Sequence, residues 1–201
     1  MSLRALRAFA AAAVLGLALA AQSAEAGQGE AFVGGVTDRL TGFLPALSAP
    51  EDRFNAAYSL LGDSLDMPAL AAFVMGPEAS AITPERQEAF AAMLQEVLAR
   101  AVARGAPSYR DVRVRFLETR PHGEGLEMVR TEAEKPGMRP VGVDWIVRAG
   151  AEPRIVDVMV MGLSVRSLLR AAAGAGAAEN GGGIDGLTLF LEGLVGSTAQ
   201  P

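Results

Sequence analysis

The residues able to do bond-making chemistry are few. His122 is the only histidine of the 201-residue chain, and there is no cysteine at all. That inventory excludes a histidine-rich metal site, a thiolate site and a disulfide. A Ser-His-Asp triad would have to use His122, which stands in Pro121-His122-Gly123, a turn between two strand-like runs. The glycine groups Gly34-Gly35 and Gly181-Gly182-Gly183 lack the strand–turn–helix spacing of phosphate-binding loops. No metal, nucleotide or other cofactor is expected. Carboxylates remain, with Asp144 and Asp157 on strand-like runs. Alternation suits each of them to an ion pair with arginine on a sheet surface rather than to catalysis.

The elements that must carry these residues fall into a helical half and a strand half. Phe32, Val36, Leu40 and Phe43-Leu44 keep near-helical spacing. Pro50-Glu51-Asp52 marks a second helix start, where the dipole favours acids, and Phe54, Tyr58, Leu61 and Leu65 follow on one face. Asp66-Met67-Pro68 restarts the chain before Gly76-Pro77 stops it. The clearest helix runs from Thr83-Pro84-Glu85 to Arg104, with Thr83 as N-cap. Its stripe of Phe90, Met93, Leu94, Val97, Leu98, Ala101 and Val102 is broad and apolar.

From Asp111 the period changes to two. Val112, Val114 and Phe116 alternate with Arg113, Arg115 and Leu117; further strands are expected over Leu126 to Glu134, Val141 to Arg148 and Ile155 to Met161. Short connections favour antiparallel neighbours. In the third strand Val143, Trp145 and Val147 share one face and Asp144, Ile146 and Arg148 the other. The fold class expected is α+β: a curved antiparallel sheet of about four strands, covered on one face by amphipathic helices, in an NTF2-like or cystatin-like shape. The Ala- and Gly-rich tract 171–183 reads as a flexible segment, followed by a C-terminal helix over 184–195 with Ile184, Leu187, Leu191 and Leu194 on one face. That helix is expected to close one side of a pocket. An indole facing inward at Trp145 needs a partner, expected to be a backbone carbonyl at the sheet rim.

The N-terminus reads as an export signal. Arg4 and Arg7 precede an apolar run from Ala8 to Ala21, and Ala24-Glu25-Ala26 is a small-x-small site, so the mature domain is expected over 27–201. Losing Arg4, Arg7 and Glu25 takes 18 basic against 23 acidic residues to 16 against 22. A mildly acidic domain lacks the basic surface that nucleic acid demands. The expected location is the periplasm.

Two strand runs around Ala149-Gly150-Ala151-Glu152-Pro153, with Asn180-Gly181-Gly182-Gly183-Ile184-Asp185-Gly186-Leu187 beyond, resemble the MlaC-type family of periplasmic phospholipid-binding proteins, also called the toluene-tolerance family. The segment from Asp66 to Gly76 is similar to that family's "fd…la…vlG" helix, and Thr83 to Phe90 to its "tpeqr.ef" helix start. Val143-Asp144-Trp145 and Val156-Asp157-Val158 are similar to its "vdyrl" and "i.DV.veGvS" strands. Pro153 stands where members carry Trp, and Ala171-Ala172-Ala173 follows Arg170 where they carry bulkier residues.

The resemblance implies a diacyl phospholipid held with its tails between helices and sheet. It also implies two membrane partners: an inner-membrane ABC transporter complex with its substrate-binding ring, and an outer-membrane lipoprotein/porin complex. The side chains expected to line the lipid site are Phe73, Met75, Phe90, Met93, Leu94 and Val97 from helices. From strands come Val114, Phe116, Met128, Val143, Trp145, Val147, Val158 and Val160. Methionine suits an adaptable cavity. Alternatives are a carrier for another lipid such as a hopanoid, a small NTF2-like enzyme using an aspartate, and an interaction module without a ligand.

Overall fold

The computed structural model describes residues 27–198. The expected signal peptide over 1–26 lies outside the described residues. The chain opens with helix α1 (27–38), a π-helical turn at Arg39–Phe43 and a short α2 (Leu44–Ala46). Helices α3 (Pro50–Ser64), α4 (Met67–Met75) and α5 (Pro84–Gly105) follow. Strands β1 (Arg113–Pro121), β2 (Leu126–Glu134), β3 (Val141–Arg148), β4 (Arg154–Val160) and β5 (Leu163–Ser164) lead into α6 (Val165–Glu179) and α7 (Gly183–Thr198).

Side-chain caps start three of these helices. Asp66 accepts the Ala69 N–H at 3.1 Å and Thr83 accepts the Arg86 N–H at 3.5 Å, so both act as N-caps with proline just inside the helix. Ser164 does the same for α6, accepting from the Ser167 N–H at 3.2 Å. Gly76 ends α4 at φ 63°, a backbone region that β-carbons disfavour.

The strands form one antiparallel meander in the order β1-β2-β3-β4-β5. The α+β class is as expected, with five strands rather than about four. The extra strand is short: Met161 and Gly162 (φ 52° and 80°) form a two-residue turn that brings Leu163 back beside Val160. Register shifts between Phe116 and Glu118, and between Ile146 and Val147, are β-bulges, which increase twist and bend the sheet.

The helices pack on one face and leave two hydrophobic cores. The first joins the inner sheet face to α1, α3 and the C-terminal half of α5, through Val33, Leu60, Ala99, Ala103, Val129, Trp145 and Val147. The second is all-helical: Met67, Val74, Met75, Phe90, Leu94, Ala173, Ala177, Leu187 and Leu191. Helix α5 is about 33 Å long at 1.5 Å per residue and serves both cores.

The tract expected to be flexible is helical up to Glu179 and packed. Its small residues allow helices to meet closely. A β-carbon at Gly176 would stand 2.2 Å from the Phe190 ring, and one at Gly186 would stand 2.6 Å from the Ala177 carbonyl oxygen. Alanine's helix propensity and this close approach together account for a composition that otherwise suggests a linker. Among the described residues no helix is long and apolar enough to cross a membrane.

Candidate functional site

A cavity of about 460 Å³ lies between the inner sheet face and helices α1, α3 and α5, bounded at one end by the start of α6. Ligand pockets are commonly about 300–1,000 Å³, so the volume is that of a binding site rather than a packing defect. The sheet contributes Val114, Val143, Trp145, Ile155, Val158 and Val160; the helices contribute Val36, Leu40, Leu61, Leu65, Leu98 and Val102 among others. The π-helical turn presents Leu40 and Thr41 to this space, a placement that recurs at functional sites.

The wall is apolar because its polar groups are used locally. The Thr37 hydroxyl donates to the Gly34 carbonyl at 2.9 Å, and the Thr41 hydroxyl to the Thr37 carbonyl at 3.0 Å. Burial pushes the Tyr109 hydroxyl above its ordinary pKa of 10.0, keeping it neutral. Among the described residues, charge enters the wall only through Asp157 and Arg166. Asp157 accepts the N–H of Val158 at 2.8 Å, the hydroxyl of Ser164 at 2.6 Å and the N–H of Arg166 at 3.2 Å. It is a structural carboxylate that ties β4 to the first turn of α6. Asp144, as expected, faces outward, where Arg130 donates to it at 2.8 Å.

Five of the side chains expected to line the site do so: Val114, Val143, Trp145, Val158 and Val160. Val147 and Phe116 face the same side but belong to the first core, Val147 fully buried and Phe116 near Gly34. The remaining seven are elsewhere. Met75, Phe90 and Leu94 are buried in the second core, with Met93 and Val97 packed against it. The apolar stripe of α5 is continuous in sequence, but only its C-terminal half passes over the sheet; α4, α6 and α7 cover the rest. Met128 is on the opposite sheet face, paired with Ile146, its sulfur 3.4 Å from an Arg120 Nη. Strand parity places it there, since Val129 and Thr131 face the helices. Phe73 lies outside the cavity, under the guanidinium groups of Arg166 and Arg170 at 4.7 and 5.3 Å.

Helix α7 contributes no lining residue among those described. Leu187 and Leu191 instead complete the second core, so α7 does not close the pocket as expected. The lining residues missed by sequence reasoning include members of α1, α3 and α6, together with residues of the π-helical turn, α5 and the sheet. Their stripes, such as Leu61 and Leu65, are visible in the sequence, but nothing local distinguishes a stripe facing a void from one facing a filled core. The indole partner also differs from expectation: Trp145 Nε1–H donates to the Thr131 hydroxyl at 2.9 Å, not to a carbonyl at the rim.

This architecture has a counterpart among solved structures. A phospholipid-binding protein from Ralstonia solanacearum, solved in complex with a phospholipid, superposes with a TM-score of 0.73 at 20% identity, covering 88% of this chain and 99% of its own. At that identity the likeness speaks for the fold. No curated protein matches the chain. The sequence profile described as MlaC protein matches residues 10–192, nearly the whole chain, including the helices and strands that enclose the cavity. By that match, the chain belongs to the MlaC family.

Proposed function

We propose that this protein is a periplasmic phospholipid carrier. It would take diacyl lipid between an outer-membrane lipoprotein/porin complex and the substrate-binding ring of an inner-membrane ABC transporter complex, maintaining outer-membrane lipid asymmetry. The observation that carries the reading is the apolar cavity of about 460 Å³, left open between helices and sheet. A packed domain normally fills such space, because interiors approach crystal density. Membership of the MlaC family and the phospholipid in the similar Ralstonia protein point the same way.

The energetics explain why a cavity is sufficient. Burying one CH₂ is worth about 0.8 kcal/mol, so a tail of roughly 16 carbons resists entering water by on the order of 12 kcal/mol. A carrier must replace most of that stabilisation, and an apolar wall does so without a catalytic group. Transport direction would then be imposed by the partners, since the chain has no nucleotide-binding loop.

Mass spectrometry of an organic extract of the purified protein tests the reading. Co-purified diacyl phospholipid is the expected result. A triterpenoid would redirect the reading to another lipid, and an empty protein that also takes up no phospholipid from vesicles would overturn it.

A further inference from the structure

Among the described residues the cavity is charged in one place only, and the charge there is unevenly balanced. Asp157 is occupied by three donors, of which the Ser164 hydroxyl and the Arg166 N–H hold β4 to the start of α6. Arg166 has its Nε 3.4 Å from Asp157 Oδ2, without the alignment of a hydrogen bond. Its Nη groups have no hydrogen-bond acceptor among the described residues, and the guanidinium lies over the Phe73 ring at 4.7 Å.

Arg170, one turn further along α6, stacks on the same ring at 5.3 Å and has neither an ion pair nor a hydrogen bond among the described residues. Its Nη2 lies 2.8 Å from where a β-carbon of Gly76 would stand, so the glycine that ends α4 also leaves room for this side chain. Leu70 and Leu169, neighbours of Phe73 and Arg170 on their respective helices, line the cavity.

Two guanidinium groups are thus collected on one aromatic ring at the edge of an apolar slot, with one carboxylate, Asp157 of β4, beside Arg166. Like charges at i and i+4 repel, and the positive end of the α6 dipole adds to the field. The ring orients both planes, and a planar guanidinium fork matches the oxygens of a phosphate. The rest of the wall is apolar or bears hydroxyl groups.

We infer that Arg166 and Arg170 form the headgroup subsite, binding the phosphodiester of a lipid whose tails pass Leu70 and Leu169 into the cavity. This rests on the carrier reading above and adds an orientation to it: headgroup at the α4–α6 edge, tails toward Trp145. Phe73 serves the subsite as a platform for the two arginines rather than as a tail contact.

The test uses delipidated protein and three probes: phosphatidylglycerol brominated in mid-chain, diacylglycerol with the same brominated tails, and inorganic phosphate. Quenching of Trp145 reports the lipids, and ³¹P NMR reports phosphate. Arg170→Gln is the primary variant because Arg170 is exposed; Arg166→Gln/Arg170→Gln removes both charges. Wild type should prefer phosphatidylglycerol to diacylglycerol. Each variant should weaken phosphatidylglycerol by about tenfold or more, the worth of one charge-assisted hydrogen bond, and leave diacylglycerol unchanged.

Equal phosphatidylglycerol affinity in wild type and Arg170→Gln would overturn the subsite, as would a parallel loss of both lipids. Arg170-dependent binding of inorganic phosphate, without a wild-type preference for phospholipid, would assign the pair to a free anion and equally overturn it. If wild type takes up neither lipid, the carrier reading fails and the subsite with it.

Discussion

Trp145 on β3 and Thr131 on β2 share a buried hydrogen bond of 2.9 Å, in which the indole N–H donates to the hydroxyl oxygen. The hydroxyl in turn donates to the Val143 carbonyl at 3.1 Å. One threonine therefore satisfies the indole and fixes the ring against the cavity wall. Thr131→Val keeps the shape of that site and removes the acceptor. We expect a loss of about 1–3 kcal/mol in urea denaturation, the cost of an unpaired buried donor. An unchanged midpoint would mean that the ring finds another partner.

The same ring is a reporter for the tails. Buried against Val143 and Val158, Trp145 should show blue-shifted emission. Phospholipid brominated in mid-chain should quench it strongly, whereas a headgroup label should affect it less. Emission typical of exposed tryptophan, indifferent to brominated tails, would remove Trp145 from the ligand site.

The two cores should respond separately. Leu94→Ala opens a hole in the all-helical core and should cost about 2–5 kcal/mol of stability, with lipid uptake by the remaining folded protein unchanged. Val143→Phe places bulk in the cavity and should lower lipid uptake with a small effect on stability. Denaturation curves and uptake measured on the same samples separate the two effects. Uptake lost in Leu94→Ala at full folding would show that the helical core also holds lipid.

Asp66 links the start of α4 to the sheet. It caps the helix, pairs with Arg148, and its own N–H donates to the Ile155 carbonyl at 3.1 Å. Burial raises its pKa, but the hydrogen bonds from Arg148 and Ala69 and the charges of Arg148 and Arg154 outweigh that and hold it below 3.8. A depressed carboxylate stabilises the fold above its unfolded value and loses that contribution as pH falls through the folded one. Asp66→Asn keeps a capping oxygen and removes the charge. It should cost about 1 kcal/mol near neutral pH, and the gap to wild type should close in acid below the folded value. A gap of constant size across that range would assign the cost to the cap alone.

The sequence by itself determined what depends on short range. Period-two alternation delimited β2 and β3 to the residue and separated the Trp145 face from the Asp144 face. The caps at Asp66 and Thr83 and the long stripe of α5 are equally local. So is the pattern of short motifs through which the MlaC family can be recognised. Tertiary structure alone decided which apolar faces meet a void and which meet a neighbour. Phe90 and Leu98 lie on one continuous stripe, yet the first is buried in the helical core and the second lines the cavity, because α5 outruns the sheet and α7 fills the space beyond it. Gly176 belongs to a tract that reads as flexible until Phe190 is laid against it. Arg166 and Arg170 share one aromatic ring because α4 brings Phe73 beneath them. Periodicity states that a face must be covered; the partner that covers it is a contact between residues distant in sequence, and no local pattern encodes that.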